Sequence, residues 1–338
     1  MPVIFRKIEV PVFIKIENDC LRRINEILEE QQLNFKKPLY ILSSRMAKLN
    51  IFPKKEIYIP QDNSLIQAEK ILSQIKDYDV IISVGGGKIL DLGKYVATKA
   101  ELNYISVPTS PSNDGIASPI AVLKNKLGAT ESLGVNMPMG ILVDMDLMKV
   151  APLENIRAGI GDLISNYSAL LDWQLAHDEK KEKIDDFAAS LAYSAADLIY
   201  SQQQGKEKID LRNEKFLKTL INGLILSGVA MNIAGSSRPC SGAEHEISHA
   251  IDKLYPGTAA HGTQVAVAMI IVEKLRNKDC AGLINFYQSV GLPINYQDIG
   301  LNKEQIIKAV LYAPQTRPDR FTILDKLNLS GDQIEKYI

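Results

Sequence analysis

The sequence predicts an N-terminal α/β domain with a parallel sheet over residues 1–151, followed by an all-helical domain over residues 152–338. Two patterns support this division. Short β-branched runs alternate with segments of helical periodicity in the first part, and strand-like runs disappear after Pro152. A chain of 338 residues is also long enough to form two domains of ordinary size.

The first part alternates strand and helix patterns. Apolar, often β-branched runs predict strands at residues 38–44, 79–87, 103–110 and 139–148. Two segments between the first three runs carry apolar side chains at helical spacing, residues 64–78 and 89–100. This alternation is typical of βαβ units, whose right-handed crossovers produce a parallel, Rossmann-like sheet.

After Pro152 only helical periodicity remains. It covers residues 153–178, 183–203, 214–235, 241–254 and 261–276, and shorter helical stretches follow. The polar run at residues 202–215 is interpreted as a solvated loop, because apolar helical patterns continue on both sides of it. The pattern therefore favours a domain break near residue 151 and a helical second domain.

Composition places the chain among soluble globular proteins, with 46% hydrophobic and 23% charged residues. A formal net charge of -1 gives no overall field that favours nucleic acid or an anionic membrane, so neither is expected as a partner. No apolar run is long enough for a membrane span, and the N-terminus has no signal-peptide pattern. Three scattered cysteines without a CxxC motif indicate a reducing compartment, so the cytoplasm is the expected location.

Three of the four histidines lie close together in the sequence, at His245, His249 and His261. His245 and His249 have i, i+4 spacing on a predicted helix and so share one face. After a turn at Pro256–Gly257, His261 opens the next predicted helix and is expected to return beside the pair. Such a group is typical of a metal site, and histidines that merely cluster are the alternative. The spacing differs from HExxH, which disfavours a zinc metalloprotease.

Asp162 is the candidate carboxylate for this site, because a divalent ion bound by two neutral imidazoles still needs negative charge. It lies in GIGDLISNY, a weakly charged stretch of apolar helix, where an unpaired carboxylate would be unfavourable. A helix cap or a first-turn aspartate is the alternative interpretation of this residue.

Gly85, Gly86 and Gly87 directly follow a predicted strand and precede a predicted helix. Glycines at that place let backbone N–H groups approach a phosphate, which the helix N-terminus also attracts. The run is neither GxGxxG nor a Walker A motif, so a simple tight turn is an equally good interpretation. Asp91, one turn into the helix, is expected either to accept a hydrogen bond or to face solvent.

A polar loop, residues 108–121, follows the next predicted strand. Thr109 and Ser112 are suited to donate to phosphate, and Asp114 is suited to hold a substrate hydroxyl. An Asx or Ser turn is the alternative. Ligands of open α/β sheets bind beyond the carboxyl ends of the strands, where this loop and the glycine run are both expected.

Together, these motifs resemble a known family. The segments VGGGKILDLGKYVA, PTSPSNDGIASP, GIGDLISNYSALLDW and SSRPCSGAEHEISHAID are similar to those of sn-glycerol-1-phosphate dehydrogenases. That family is part of the superfamily of iron-containing alcohol dehydrogenases, glycerol dehydrogenases and dehydroquinate synthases. The resemblance runs in order over nearly the whole chain. It implies a dehydroquinate synthase-like fold and the reversible NAD(P)H-dependent reduction of dihydroxyacetone phosphate to sn-glycerol 1-phosphate, a step of phospholipid biosynthesis.

The resemblance also implies roles for individual residues. The family's metal ligands fall on Asp162, His245 and His261, and the metal is usually zinc, with Ni²⁺ or Fe²⁺ as alternatives. Its substrate contacts fall on Asp114 and His249, with Asp162 also beside the substrate. Its cofactor contacts, for NAD or NADP, fall on three parts of the chain. These are the glycine run that starts at Gly85, the helix that follows it and the loop after the next strand, with contacts at Gly86, Gly87, Asp91, Thr109, Ser112 and Ser118.

Two positions refine the resemblance. Iron-type alcohol dehydrogenases carry a fourth ligand, a histidine, one turn after the aspartate, and Asn166 stands there in this chain. Three protein ligands would leave coordination sites open for substrate. After the first predicted strand, Ser43, Ser44 and Arg45 stand where an acidic residue would bind the ribose of NAD and repel a 2′-phosphate. NADP is therefore permitted beside NAD.

Three other functions stay open. A glycerol or polyol dehydrogenase would act on an unphosphorylated or a different phosphorylated ketone, and Arg238 and Lys124 are the candidate phosphate donors that bear on this choice. A cyclase of the dehydroquinate synthase type usually has a glutamate as its metal carboxylate, unlike Asp162. A non-catalytic binding protein would leave the metal residues without a role. In each case the apolar C-terminal helices lead us to expect a homo-oligomer.

Overall fold

The computed structural model describes residues 9–52, 56–203 and 208–338. These residues form two compact units. Of the described residues, the first unit contains those up to Thr109, Gly115–Met148 and Met231–Ser236, and the second contains Ser110–Asp114, Lys149–Ala230 and Ser237–Ile338. The boundary at residue 151 stays a prediction. No sequence pattern indicates that Ser110–Asp114 belongs to the second unit or that Met231–Ser236 belongs to the first.

The first unit contains a six-stranded parallel sheet and an antiparallel hairpin. The strands of the sheet are β1 (Phe13–Glu17), β2 (Pro38–Leu42), β3 (Glu56–Tyr58), β4 (Val80–Gly85), β5 (Asn103–Pro108) and β8 (Gly140–Asp144), and those of the hairpin are β6 (Ile120–Lys124) and β7 (Thr130–Gly134). The order in the sheet is β1-β8-β5-β4-β2-β3, and every neighbouring pair is parallel. The predicted parallel sheet is confirmed. The strand patterns above include neither the edge strands β1 and β3 nor the hairpin.

Helices pack on both faces of this sheet. They are α1 (Ile24–Glu30), α2 (Ser44–Ala47), α3 (Leu65–Gln74), α4 (Gly87–Lys99) and, after β8, α5 (Met145–Lys149). Val80, Ile82 and Val84 of β4 pack with α1, whereas Ile81 packs with α3 and α4. Successive side chains of a strand point to opposite faces, so a strand that is covered on both sides is apolar throughout.

The second unit contains helices and no strand among its described residues. They are α6 (Leu153–Ile164), α7 (Asn166–Asp178), α8 (Asp186–Tyr200), α9 (Glu214–Ala234), α10 (Ala243–Leu254), α11 (His261–Leu275), α12 (Ala281–Val290), α13 (Lys303–Tyr312), α14 (Ile323–Leu327) and α15 (Gly331–Ile334). The last residues of α9, from Met231 onward, belong to the first unit. The predicted helical second part of the chain is thereby confirmed.

Several predicted helices have different bounds in the structure, and for two of them a side chain explains the difference. The helix expected over residues 153–178 is interrupted at Ser165, whose hydroxyl donates to the carbonyl oxygen of Asp162 at 2.7 Å. Such side-chain bonding to a preceding carbonyl bends helices. The helix expected over residues 183–203 begins at Asp186, because the Asp185 carboxylate accepts from a backbone N–H in the first turn and caps α8.

Helix α9 is long and apolar enough, by length and composition, to cross a membrane. However, 67% of its most apolar window is buried inside the protein, as expected of a core helix. Part of the predicted polar loop before α9, residues 204–207, lies outside the described residues. The same holds for residues 1–8, at the start of the N-terminal segment for which no signal peptide is expected.

Candidate metal centre and active site

Asp162, His245 and His261 come together in the second unit, and we call them the Asp–His–His triad. They lie on α6, on α10 and at the first position of α11, respectively. Oδ1 of Asp162 lies 3.5 Å from Nε2 of His245 and 3.7 Å from Nε2 of His261, and the three candidate ligand atoms lie within 4.8 Å of one another. The structure therefore gathers the three predicted ligands, and their binding of a metal stays a prediction.

Two glycines allow the helices that carry the triad to approach each other. A Cβ on Gly161 would lie 2.2 Å from the carbonyl oxygen of Gly262, and a Cβ on Gly262 would lie 1.9 Å from the carbonyl oxygen of Ala158. Both distances are far below van der Waals contact, so any larger residue would force α6 and α11 apart. Because Gly161 precedes Asp162 and Gly262 follows His261, this contact sets the spacing of the two ligand candidates.

A buried carboxylate orients the His245 ring. Oε1 of Glu244 lies 3.0 Å from Nδ1 of His245 and also accepts from the N–H of Gly242 at 2.6 Å. Burial alone would raise the pKa of Glu244, but its bonds to His245 and to the backbone outweigh burial and lower it. An ionised carboxylate only accepts, so Nδ1 of His245 carries a proton. Nε2 of the same ring is therefore the nitrogen that faces Asp162, as in metal-bound histidines, whose other ring nitrogen donates to a carboxylate or a carbonyl.

A chain of hydrogen bonds orients the His261 ring in the same way. Nε2 of Gln264 donates to Asp252 at 3.0 Å and to the carbonyl oxygen of Ala259 at 3.1 Å, which fixes the direction of the amide. Oε1 of Gln264 then accepts from Ser248 at 2.7 Å. Having given its proton, the Ser248 hydroxyl accepts from Nδ1 of His261, 3.0 Å away. Nε2 of His261 is therefore the nitrogen that faces Asp162.

The charges at the triad match a divalent cation. Burial alone would raise the pKa of Asp162, but the hydrogen bond to His245, the charges of both rings and the N–H of Asp114 outweigh it and lower the pKa. That N–H donates to Oδ2 at 2.9 Å and leaves Oδ1 for the rings. Burial also opposes a charge on His245, yet Asp162 and Glu244 raise the pKa of this ring to about 9. A proton at Nε2 stands where a bound cation would be, and cation binding would release it.

The amide of Asn166 is engaged by hydrogen bonds within the protein interior. Asn166 is 1% exposed, and its Nδ2 donates to the hydroxyl of Ser227 at 2.8 Å and to the carbonyl oxygen of Ala192 at 3.1 Å. The protein donors are thus two imidazole nitrogens and one carboxylate oxygen. This donor set fits a catalytic zinc site, in which open positions accept water or substrate.

The two predicted substrate contacts lie beside the triad. The ring of His249 stacks on that of His261, with 5.7 Å between centroids and 26° between planes. Burial and then the positive charges of His261 and Arg317 lower the pKa of His249 well below its usual value, so the ring is neutral. Asp114 opens a short 3-10 turn and is half-buried, with its backbone N–H on Asp162.

Most of the predicted cofactor residues lie in the first unit. Gly85 ends β4, Gly86 precedes α4, and Gly87 is its first residue. A Cβ on Gly85 would lie 2.7 Å from the side chain of Ile89, so this turn requires glycine. The N–H of Thr109 donates to the carbonyl oxygen of Gly85 at 3.0 Å, which joins the turn to the loop after β5. Ser118 also lies in the first unit, whereas Ser112 lies in the second.

Asp91 is paired within the protein rather than exposed. Its carboxylate lies 3.0 Å from Nζ of Lys94, a lysine that is 0% exposed. The ammonium also donates to the carbonyl oxygens of Gly115 (2.9 Å), Ser118 (3.2 Å) and Ile120 (2.6 Å). Lys94 thus ties α4 to the loop that contains Ser118. No sequence motif marks Lys94 as a buried residue, although its i, i+3 spacing from Asp91 is a local feature of the sequence.

Replacing Lys94 with methionine is expected to lower the free energy of unfolding by about 3 kcal/mol, because it leaves a largely buried carboxylate and several carbonyl oxygens without their donor. Urea unfolding followed by circular dichroism measures the change. Lys99→Met is the control, since Lys99 is exposed on the same helix and should change stability by less than about 0.5 kcal/mol. Equal losses in the two variants would show that the buried contacts of Lys94 contribute nothing.

Arg238 and Cys240, which lie just before α10, are both buried. Arg238 is 3% exposed, its Nε lies 2.9 Å from the Glu182 carboxylate, and its Nη2 donates to the carbonyl oxygens of Asp172 and Phe321. Arg238 is therefore buried and paired within the protein, which does not favour the role of phosphate donor. Burial raises the pKa of Cys240 well above its usual value, as expected of an unreactive thiol.

Comparison with known proteins gives the family. Residues 15–152 match the family model described as iron-containing alcohol dehydrogenase. The glycerol-1-phosphate dehydrogenase (NAD(P)+) of Archaeoglobus fulgidus is 35% identical, over 98% of this chain and 97% of its own length. That of Hyperthermus butylicus is 36% identical over the same shares, and that of Thermococcus kodakarensis is 40% identical over 80% of this chain and 76% of its own length.

Solved structures show the same fold. A probable glycerol dehydrogenase from Sinorhizobium meliloti superposes with a TM-score of 0.78 at 22% identity, and covers 98% of this chain and 97% of its own. The sulfoacetaldehyde reductase from Bifidobacterium kashiwanohense, solved in complex with NAD+, gives 0.70 at 14% identity over the same shares. At these identities the likeness concerns the fold alone. The near-full-length relatives show more: this chain belongs to the glycerol-1-phosphate dehydrogenase family, among the iron-containing alcohol dehydrogenases.

Proposed function

We propose that the protein is an NAD(P)-dependent, metal-dependent dehydrogenase that reversibly reduces dihydroxyacetone phosphate to sn-glycerol 1-phosphate. The observation that carries the chemistry is the Asp–His–His triad, in which both imidazole Nε2 atoms face one carboxylate oxygen. The choice of substrate is supported by relatives of that name that match nearly the full length of the chain.

Zinc is the metal we propose, held by Asp162, His245 and His261. Two imidazole nitrogens and a carboxylate oxygen suit Zn²⁺, and the same donors also accept Ni²⁺ or Fe²⁺. When bound, the metal supplies Lewis-acid polarisation of the substrate ketone, and the reduced nicotinamide supplies the hydride that its carbon receives.

The chain's own residues then orient the substrate and move its proton. His249, neutral and half-buried beside the triad, is placed to relay the proton that the carbonyl oxygen gains on reduction. Asp114, whose backbone is anchored on Asp162, is placed to accept a hydrogen bond from the free hydroxyl of the substrate. This contact would orient the ketone for addition of hydride to one face.

We assign cofactor binding to the turn between β4 and α4 and to the loop after β5. Backbone N–H groups at the start of α4 favour the cofactor phosphates, and Asp91 and Lys94 hold the second loop in place. The side chains proposed to contact the cofactor are Thr109, Ser112 and Ser118. Ser43 caps α2 directly after β2, and with Ser44 and Arg45 it offers no carboxylate to repel a 2′-phosphate, which supports use of both NAD and NADP.

We further propose that the protein works as a homo-oligomer in the cytoplasm. Val12 and Ile14, at the edge strand β1, are exposed apolar side chains suited to an interface between copies. The three cysteines are free and buried, which agrees with a reducing compartment.

A substrate comparison tests the proposed activity. With the metal-loaded enzyme, kcat/KM for dihydroxyacetone phosphate is expected to exceed that for dihydroxyacetone by about 100-fold or more, followed by the loss of NADH or NADPH absorbance. Similar values for the two ketones would instead indicate a polyol dehydrogenase. Turnover of a phosphorylated sugar with phosphate release and no net NAD(P)H consumption would indicate a cyclase.

A further inference from the structure

The segment Ser110–Asp114 belongs to the second unit and lies against helix α6. Ser110 and Pro111 are buried, whereas the residues that follow them in the segment are half-buried. Asp114, the proposed contact of the substrate hydroxyl, is the last residue of the segment. The position of this segment on the helix therefore decides where Asp114 can meet a substrate.

Two contacts on one side of α6 hold the segment. The N–H of Asp114 donates to Oδ2 of Asp162 at 2.9 Å. Near the other end, the backbone crosses Gly159 so closely that a Cβ there would lie 1.9 Å from the carbonyl oxygen of Pro111 and 2.9 Å from its carbonyl carbon. Gly159 and Asp162 are three residues apart in α6 and so share a face. The segment therefore runs along this face and contacts it at both points.

A methyl group at residue 159 would displace the segment itself. The atoms that it would meet belong to the backbone of Pro111, so no side-chain rotation can make room. Helix α6 cannot retreat, because a Cβ on Gly161, which points to another side of the helix, would already lie 2.2 Å from the carbonyl oxygen of Gly262. Carbon and carbonyl oxygen atoms in contact are about 3.3 Å apart, so the segment would have to move by about 1 Å or more.

Such a displacement would reach the substrate through Asp114. It would draw the N–H of Asp114 away from Asp162 and move the carboxylate away from the hydroxyl that it is proposed to bind. A misplacement of about 1 Å, caused by a residue outside the chemistry, can lower a rate by about 100-fold. Gly159 has no side chain that could contact a substrate, so its effect on the reaction acts through the segment.

We propose that Gly159 is a positioning residue of the active site, whose missing side chain lets Ser110–Asp114 lie on α6 and so sets the place at which Asp114 binds the free hydroxyl of the substrate. The inference rests on the proposed function for the role of Asp114. The close approach of Pro111 to Gly159 is independent of that role. Gly159 thus differs from Gly161, which sets the spacing of two proposed metal ligands.

Hydrogen–deuterium exchange of Gly159→Ala in the metal-loaded enzyme tests the contact without turnover. We expect the amides between residues 110 and 114 to exchange at least about 10-fold faster than in the wild type, because the N–H of Asp114 loses its acceptor. Helix propensity does not oppose folding of this variant, since alanine favours a helix over glycine. Metal content should stay at the wild-type level, because no proposed ligand is changed.

Gly331→Ala provides the matched control. Gly331 is the first residue of α15 in the same unit, and a Cβ there would meet side chains only at 3.4 Å or more, which is ordinary contact. This variant should match the wild type in exchange between residues 110 and 114 and in turnover.

Turnover of three ketones tests the consequence for the substrate. For Gly159→Ala, we expect kcat/KM for dihydroxyacetone phosphate to fall by about 100-fold. Dihydroxyacetone has the same free hydroxyl and should lose a similar factor. Acetonyl phosphate, in which a hydrogen replaces that hydroxyl, should lose less than about 3-fold, because it has no group for Asp114 to bind.

A second variant and the remaining outcomes decide between the alternatives. Pro111→Gly loosens the segment from its own side and should give the same pattern at smaller size, so it serves if Gly159→Ala does not fold. Wild-type exchange between residues 110 and 114 in Gly159→Ala, loss of its metal, or equal losses for all three ketones would overturn the role of Gly159. A wild type that does not prefer dihydroxyacetone phosphate to dihydroxyacetone would overturn the proposed substrate alone, because both ketones carry the hydroxyl on which this inference depends.

Discussion

Replacing His261 with alanine is expected to remove the bound metal and to lower kcat/KM for dihydroxyacetone phosphate by at least about 1,000-fold. The substitution deletes one of three proposed metal donors. The two that remain, Asp162 and His245, attract each other electrostatically even without a metal. Metal content after dialysis, measured by mass spectrometry, and steady-state turnover of the same samples check the result.

His177 provides the matched control for this experiment. It is the fourth histidine of the chain and lies exposed in the last turn of α7, outside the cluster. His177→Ala should keep the metal content and turnover of the wild type. If His261→Ala turned over normally in metal-free buffer, the triad would have no part in the reaction.

Replacing Asp172 with asparagine is expected to lower the free energy of unfolding by about 4 kcal/mol, because breaking a buried ion pair leaves the partner charge uncompensated. Asp172 is 0% exposed and lies 2.6 Å from Nη2 of Arg276. Its two oxygens also accept from the N–H groups of Ala243 at 2.8 Å and Ile323 at 2.9 Å. An asparagine would lose the charge and direct an NH₂ group against one of these donors. Urea denaturation measures the change.

Asp178→Asn is the control for this substitution. Asp178 is exposed in the last turn of the same helix and accepts from Gln174 at 2.8 Å, so its replacement should change stability by less than about 0.5 kcal/mol. Asp172→Asn should also weaken metal binding, since Ala243 is the first residue of α10 and Asp172 anchors it just before His245. If Asp172→Asn unfolded at the same urea concentration as the wild type, the buried ion pair with Arg276 would not stabilise the fold.

The triad illustrates how far sequence patterns extend. The i, i+4 spacing places His245 and His249 on one face, and the turn at Pro256–Gly257 predicts the return of His261, since both are properties of short segments. Asp162 has no such local link to them, and it became a candidate through the charge that a divalent ion needs and through the family resemblance. The structure supplies the missing connection, a contact between Gly161 and Gly262 that no periodicity predicts.

The supporting residues were beyond the reach of sequence patterns for a related reason. Glu244, Ser248 and Gln264 are common polar residues on helices, where exposure is the ordinary expectation. Each is buried here and hydrogen-bonded to specific partners, and packing determines which groups those partners are. Lys94 is the strongest case, since a lysine within an apolar helix pattern gives no sign that three carbonyl oxygens surround its ammonium.

By itself, the sequence determined the parallel sheet of the first part, the helices of the second and the grouping of His245, His249 and His261. These follow from side-chain period, turn residues and spacing, which act within a few residues of one another. Only the tertiary structure decided the tautomers of His245 and His261 and the pairing of Asp91 with Lys94. Those features depend on hydrogen bonds and charges between segments far apart in the chain, and the packing of helices and loops determines which groups meet.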